Sequence, residues 1–173
     1  MDYRYYERYI NKRTTGRYDV TPIFENHRIF SNLLKDLIKP FEGIRIDKIA
    51  GIDALGFIIG GALANRLEAG FVPVRKGGKL PGIGGTVLRT SFVDYTKTKK
   101  YFEMNKGSIK NGERILIVDE WIETGAQIKA AIKLIEKQKG KVIGISVINA
   151  QKRAETTALF EKYNLKAIRV QEK

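Results

Sequence analysis

Two carboxylates, Asp119 and Glu120, stand side by side directly after the aliphatic run Ile115-Leu116-Ile117-Val118 and directly before Trp121-Ile122-Glu123-Thr124-Gly125-Ala126-Gln127. An adjacent acid pair can accept hydrogen bonds from hydroxyls as few other side chains can. The Thr124-Gly125 pair precedes a segment with helical spacing. A helix start offers free N–H groups and the positive end of a dipole, which suit a phosphate. One short segment could therefore grip a phosphorylated sugar at both ends. The same residues would also make an ordinary strand-to-helix turn with solvated acids, and the motif alone does not choose between the two.

The elements around the acids sharpen the question. Four unbroken aliphatics after Lys110-Asn111-Gly112 predict a strand buried on both faces of a parallel sheet, with the acids in the turn at its carboxyl end. Ile128, Ala131, Ile132 and Ile135 then fall at helical spacing. A second strand over residues 44–52 runs into the turn Gly51-Ile52-Asp53-Ala54-Leu55-Gly56. Its helix, over 57–68, carries the small residues Gly60, Gly61, Ala62 and Ala64. A short third strand, 71–74, leads into Arg75-Lys76-Gly77-Gly78-Lys79-Leu80-Pro81-Gly82, three cations among glycines at another carboxyl end. Such a loop is ordinarily just solvated. Beside an acid pair and a Thr-Gly helix start, it points to a pyrophosphate site.

The flanks complete an α/β pattern. Tyr3, Tyr5, Tyr6 and Tyr9 suggest a short surface helix packed on the domain or on a partner subunit. Residues 17–24 read as an extended run closed by Pro22. Asn26 can cap a helix with apolar positions Phe30, Leu33, Leu34 and Ile38. His27, the single histidine, has no second histidine or cysteine to share a metal and reads as a surface residue. After the acids come a helix to 139, a buried strand over 141–148, a helix over 154–163 and a closing strand over 166–170. Strand and helix alternation of this kind predicts one doubly wound, mainly parallel sheet flanked by helices.

Composition bounds the class. A chain of 173 residues with 43% hydrophobic content can form a single domain with a real core. No window approaches the ~18 uninterrupted apolar residues of a membrane span, and the first residues lack an apolar signal-peptide core. The expectation is therefore a cytoplasmic protein. The absence of cysteine excludes disulfides and thiolate chemistry. A net charge of +13 attracts polyanions. Nucleic acid fits that charge, and so does a small ligand carrying several phosphates. No amino-terminal segment reads as a helix-turn-helix, which makes nucleic acid the weaker reading.

The hydrophobic strand, acid pair and Thr-Gly loop together resemble the phosphoribosyl-diphosphate (PRPP) signature of the type I phosphoribosyltransferases. Further segments are similar to the adenine branch of that family, in family order over residues 16–150. They are Asp19-Val20-Thr21-Pro22 with Phe24, Gly51-Ile52-Asp53-Ala54-Leu55-Gly56-Phe57, Arg75-Lys76-Gly77-Gly78-Lys79-Leu80-Pro81, Ser91-Phe92-Val93-Asp94-Tyr95 and Phe102-Glu103-Met104. The resemblance implies a single phosphoribosyltransferase domain over 1–173. Within it, residues 1–40 would form a small amino-terminal hood and base-pocket segment, and residues 82–112 a mobile loop hinged at glycines 82, 84 and 85. It further implies transfer of a 5-phosphoribosyl group from PRPP to a purine base, adenine or a related one, in purine salvage. Pyrophosphate would be released, with Mg²⁺ as cofactor and a homodimer as the assembly.

By the same resemblance, Asp119 and Glu120 take the ribose hydroxyls, directly or through the metal. Glu123, Thr124, Gly125, Ala126 and Gln127 wrap the 5-phosphate. Asp53, Ala54, Leu55, Arg75, Lys76 and Lys79 meet the pyrophosphate. Arg17 and Tyr18 border the base, and Asp94 stands at the family's acid/base glutamate. Four departures from the family pattern involve six residues. Leu55 replaces an arginine, Ala126-Gln127 replaces Gly-Thr/Ser, Asp94 is one methylene shorter than glutamate, and Arg17-Tyr18 replaces Phe-Arg. Such departures also admit a PRPP-sensing regulatory protein on the same fold as the alternative function.

Overall fold

In the computed structural model the described residues are 1–15, 18–82, 85–93 and 98–172. The acid-pair strand is β5, and it lies in the middle of a seven-stranded sheet. In chain order the elements are α1 (Tyr3–Glu7), α2 (Thr21–Glu25), α3 (His27–Ile38), a 3₁₀ turn (Lys39–Phe41), β1 (Lys48–Ile52), α4 (Leu55–Arg66) and β2 (Gly70–Lys76). There follow β3 (Val87–Val93), β4 (Lys99–Asn105), β5 (Arg114–Ile122), α5 (Ala126–Lys137), β6 (Lys141–Lys152), α6 (Thr157–Lys162) and β7 (Leu165–Glu172). The strand order is β3-β4-β2-β1-β5-β6-β7. β2, β1, β5, β6 and β7 run parallel, and the β3–β4 ribbon joins antiparallel at β2.

The aliphatic run of β5 explains its central place. Ile115, Leu116, Ile117 and Val118 are all fully buried, and each such side chain contributes about 1.5–3 kcal/mol by leaving water. Alternation sends them to opposite faces. Ile115 and Ile117 join a cluster with Ile128, Ile132 and Ile135 of α5. Leu116 and Val118 join a second cluster with Tyr6, Ile23, Leu33, Leu37, Ile59 and Leu63. The amino-terminal tyrosines belong to this second cluster, since Tyr6 is fully buried and Tyr3 nearly so. Its layer also takes α3, where Asn26 caps the helix by accepting from the N–H groups of Arg28 and Ile29. His27 is exposed at the first position of that helix.

Several expected boundaries shift for local reasons. The run over 17–24 is not extended to its proline. Pro22 lies in the first turn of α2, where a missing N–H costs nothing, and Asp19 Oδ1 accepts from Thr21 N and Oγ1 at 2.9 and 2.8 Å. β5 does not stop before the acids. It stays paired with β6 through Ile122, so Asp119 and Glu120 belong to the strand end rather than to the turn. The segment 82–112, expected as a loop, contains a two-stranded antiparallel ribbon. Phe102 and Met104 of β4 are fully buried, and Phe92 meets Phe102 at 4.6 Å between ring centroids. Lysines at 99, 100, 106 and 110 mask that apolar alternation in the sequence.

Gly144 of β6 shows how tightly the second layer is set. A Cβ there would lie 2.1 Å from Phe41 Cε1, and Phe41 is 1% exposed with nowhere to retreat. Gly144→Ala is therefore expected to destabilise the protein by about 1–3 kcal/mol, the scale of overpacking a closed core. Urea denaturation would check it, and an unchanged midpoint would mean that Phe41 can move.

Candidate functional site

Strand order reverses between β1 and β5. From β1 the chain moves outward to β2, and from β5 it moves the other way to β6 and β7. At such a switch point the loops leave in opposite directions, and a crevice opens at the carboxyl ends of the strands. β1 and β5 are direct neighbours, with Gly51 opposite Val118, and Ile52 pairs with Val74 of β2. Three predicted site segments therefore leave the sheet at adjacent points. They are the turn at 53–55, the acids at 119–120 and the cationic loop from Arg75.

α4 comes unusually close at that point because its contact positions are glycines. A Cβ on Gly56 would lie 2.9 Å from the Val118 carbonyl oxygen and 3.3 Å from Asp119 Oδ1. A Cβ on Gly60 would lie 2.7 Å from the Phe71 ring and 3.0 Å from Val118 Cγ2. The carboxylate of Asp119, 5% exposed, thus sits against the first turn of α4, where the helix dipole favours negative charge. Its Oδ1 also accepts from the Glu120 N–H at 2.9 Å. Glu120, Trp121 and Glu123 are half-buried. Trp121 meets Tyr18 edge to face at 6.1 Å, and Tyr18 remains 43% exposed.

The turn after β5 is built for α5. Gly125 is its N-cap at φ +72°, a left-handed conformation that glycine adopts without strain. Ala126 is the first residue of the helix proper, so alanine at this position is not asked for a positive φ. The Ala126 N–H lies 3.4 Å from Thr124 Oγ1, a weak cap. Leu159 and Thr156 close the floor under Gly125, where a Cβ would stand 2.8 Å from Leu159 Cδ1. The open side thus belongs to the backbone at the start of α5.

The cationic loop is shaped by two acids. Asp53, with its side chain 8% exposed, pairs with Arg75 Nε at 3.3 Å, and the Arg75 guanidinium lies 5.7 Å from the Phe57 ring centroid. The peptide between Asp53 and Ala54 is cis. Leu55 opens α4 half-buried against the second apolar cluster. Lys76 and Lys79 are exposed. The second acid, Glu103 of β4, is 1% exposed. It accepts from the N–H groups of Gly78 at 2.9 Å and Leu80 at 3.3 Å, and from Arg89 Nε at 2.8 Å. Of the predicted residues, Arg17 and Asp94 lie outside the described residues, as does Gly84.

Sequence reasoning missed two side chains, Glu103 and Trp121, as parts of this site. Both carried a signal. A lone acid between Phe102 and Met104 must find buried donors, and an indole directly after an acid pair at a crevice edge offers a flat apolar surface. No group of three or more histidine, cysteine, aspartate or glutamate side chains able to enclose a metal exists among the described residues.

The comparisons with known proteins now fall into place. The phosphoribosyl transferase domain model matches residues 21–171. The chain therefore belongs to the phosphoribosyl transferase family, as the seven-stranded, mainly parallel sheet with flanking helices bears out. Within the family it is similar to proteins named adenine phosphoribosyltransferase. That of Cereibacter sphaeroides is 43% identical over 132 residues, covering 75% of this chain and 71% of the relative. That of Brucella ovis is 42% identical over 130 residues, covering 75% and 70%. The crystal structure of the enzyme from Thermoanaerobacter pseudethanolicus superposes with a TM-score of 0.85 at 29% identity, covering 98% of this chain and 99% of that one. A structure of the Saccharomyces cerevisiae enzyme with adenine and an imino-altritol bisphosphate gives a TM-score of 0.76 at 28% identity, covering 96% and 98%.

Burial pushes the Glu103 carboxyl up, but the Arg89 side chain and the Leu80 and Gly78 N–H groups outweigh it and hold the group below the usual carboxylate range. A group whose folded pKa is lowered adds stability that is fully present above its unfolded value, about 4.3, and lost as pH falls through the folded value. The stability gap between the wild type and Glu103→Gln should therefore stay constant from neutral pH down to about 5 and narrow below that. Urea midpoints measured across the range would check this, and a gap that widens on acidification would reverse the sign of the shift.

Proposed function

We propose that this enzyme transfers the 5-phosphoribosyl group of PRPP to adenine, giving a nucleoside 5′-monophosphate and pyrophosphate in purine salvage. The observation that carries the proposal is the adjacency of the carboxyl ends of β2, β1 and β5 at the switch point. There a cationic loop, a buried carboxylate and, just beyond it, a helix start leave neighbouring strands. These three features match the three parts of PRPP: the carboxylate its ribose hydroxyls, the helix start its 5-phosphate and the cationic loop its pyrophosphate. The relatives' names supply adenine as the base and give no support to the regulatory alternative.

Asp119 and Glu120 hold the ribose hydroxyls, and residues 123–127 cradle the 5-phosphate on backbone N–H groups at the start of α5. Ala126 preserves that backbone. The Glu123 carboxylate contributes no attraction to a phosphate, so its share in the cradle is its main chain. Arg75, Lys76 and Lys79 face the pyrophosphate beside the turn at 53–55. Leu55 supplies no charge there, which leaves the exposed lysines as the adaptable cations. Tyr18, set against Trp121, borders the base together with Arg17, and Asp94 receives or returns the proton of the base nitrogen.

In the reaction the bond from the ribosyl carbon to the pyrophosphate oxygen breaks as the bond to the base nitrogen forms. The ribosyl centre becomes cationic while the leaving group gains charge. Fixed charges aimed at both ends stabilise that separation without reorganising. Mg²⁺ characteristically keeps several waters and binds through one or two carboxylates plus substrate phosphates. Asp119 and Glu120 fit that donor set, and the metal would neutralise part of the pyrophosphate charge. The segment 82–112, anchored on the sheet through β4, covers the donor and excludes water from it. The enzyme works as a homodimer in the cytoplasm. Among the described residues no helix is long and apolar enough to cross a membrane.

Two experiments test the proposal. A screen of bases with PRPP and Mg²⁺ should show turnover with adenine above hypoxanthine, guanine and orotate, and turnover of another base alone would redirect the specificity. Asp119→Asn combined with Glu120→Gln should remove measurable PRPP binding in isothermal titration. Because Asp119 is buried, circular dichroism must show that the variant is folded. Unchanged affinity in a folded double variant would refute the ribose assignment.

A further inference from the structure

Both oxygens of Glu103, a buried carboxylate beside the cationic loop, are engaged, and no step of the transfer uses it. A carboxylate buried to 1% exposure is costly unless its oxygens are satisfied. Here one oxygen takes Arg89 Nε of β3, and the other takes the Gly78 and Leu80 N–H groups. Those two donors bracket Lys79. The same stretch is tied to β4 by the Gly77 N–H to the Tyr101 carbonyl at 2.9 Å and by the pairing of Arg75 with Glu103. Gly77 lies so close to the Tyr101 ring that a Cβ would stand 2.2 Å from it. Beyond Gly77, where strand pairing ends, the Glu103 side chain holds the path of the cationic loop and fastens it to the β3–β4 ribbon.

We propose that Glu103 is the positioning residue of the pyrophosphate loop. It holds residues 76–80 in the shape that presents Lys76 and Lys79 to the leaving group, and it makes that shape depend on the ribbon. The inference rests on the assignment of residues 75–82 to pyrophosphate. Charge and position predict opposite signs here. If only charge mattered, removing a negative group beside the cations would tighten an anion. If position matters, the loss of two main-chain anchors loosens the loop, and the anion binds more weakly. A glutamine keeps only one acceptor oxygen and no charge: turned toward Gly78 and Leu80 it sets its NH₂ against Arg89, and turned toward Arg89 it sets it against the two main-chain donors, so the full set of contacts and its charge-assisted strength are lost.

The test measures pyrophosphate product inhibition, with PRPP KM, adenine KM and kcat beside it. Glu103→Gln should raise the pyrophosphate inhibition constant and the PRPP KM by about tenfold, the scale of a lost charge-assisted contact, with adenine KM within about twofold. Glu103→Asp keeps the charge and should recover part of the loss. Arg89→Met removes one anchor of Glu103 at a side chain that is 64% exposed. It should shift the same constants in the same direction by less, and it decides the matter should the Glu103 variants not fold. An unchanged or lower pyrophosphate constant in folded Glu103→Gln, with Lys79→Ala weakening pyrophosphate, would overturn the positioning role alone. Unchanged constants in both Lys76→Ala and Lys79→Ala would remove the loop assignment, and this inference with it.

Discussion

The close approach of α4 to β1 and β5 is the constraint on which the site depends. Gly51, Gly56 and Gly60 lie where the helix crosses the two central strands, and a Cβ at any of them would fall within 3 Å of a neighbouring atom. For Gly51 and Gly56 that atom is main chain, a Gly56 or Val118 carbonyl oxygen that cannot swing aside. The start of α4 is thereby pressed against the carboxyl end of β5, and the carboxylate of Asp119 has a helix terminus beside it. A bulkier contact would push the helix outward and widen the crevice. It would also leave a buried acid without its dipole.

Charge in this protein is strongly biased overall but locally balanced. The net charge of +13 gives a long-range pull on a polyanionic donor. At the cationic loop, however, Asp53 pairs with Arg75 and Glu103 with Arg89. These pairs trade attraction for geometry. Arg75 is tied down between a carboxylate and the Phe57 ring, and Lys76 and Lys79 stay exposed. A flexible lysine in water loses side-chain entropy when it closes on a phosphate, and a loop of fixed path leaves only the side chain to be ordered.

The parts of this architecture that were legible in the sequence are those with strong local periodicity. Ile115-Leu116-Ile117-Val118 could only be a doubly buried strand, and Ile128, Ala131, Ile132 and Ile135 mark the buried face of α5. The order of motifs predicted the parallel sheet. The ribbon was not legible, because Lys99 and Lys100 open β4 with an exposed stretch and only Phe102, Glu103 and Met104 of that strand are buried. Nor was the extension of β5 through the acids, since pairing with β6 continues past the last aliphatic for a tertiary reason. At the site, the acid pair and the glycine cap were readable as chemistry. Glu103 was legible only in part: an acid between Phe102 and Met104 signals a need for buried donors, but no side-chain motif announces that two of them are main-chain N–H groups some 25 residues away.

The departures from the family pattern divide by the same logic. Ala126 follows the residue that needs a left-handed backbone rather than occupying its place, so Gly125 carries the turn and the alanine is free to begin the helix. Leu55 is different in kind. Its side chain leans on the apolar cluster under α3, and the position contributes packing where a guanidinium would contribute charge. In the proposed assignment the charge at the leaving group then falls to the loop after β2, whose Gly78 and Leu80 N–H groups are held by an acid on another strand. A site without an arginine at its helix start leans more heavily on the lysines of the loop, and such a loop needs to be held in place. The buried carboxylate of Glu103 supplies the restraint.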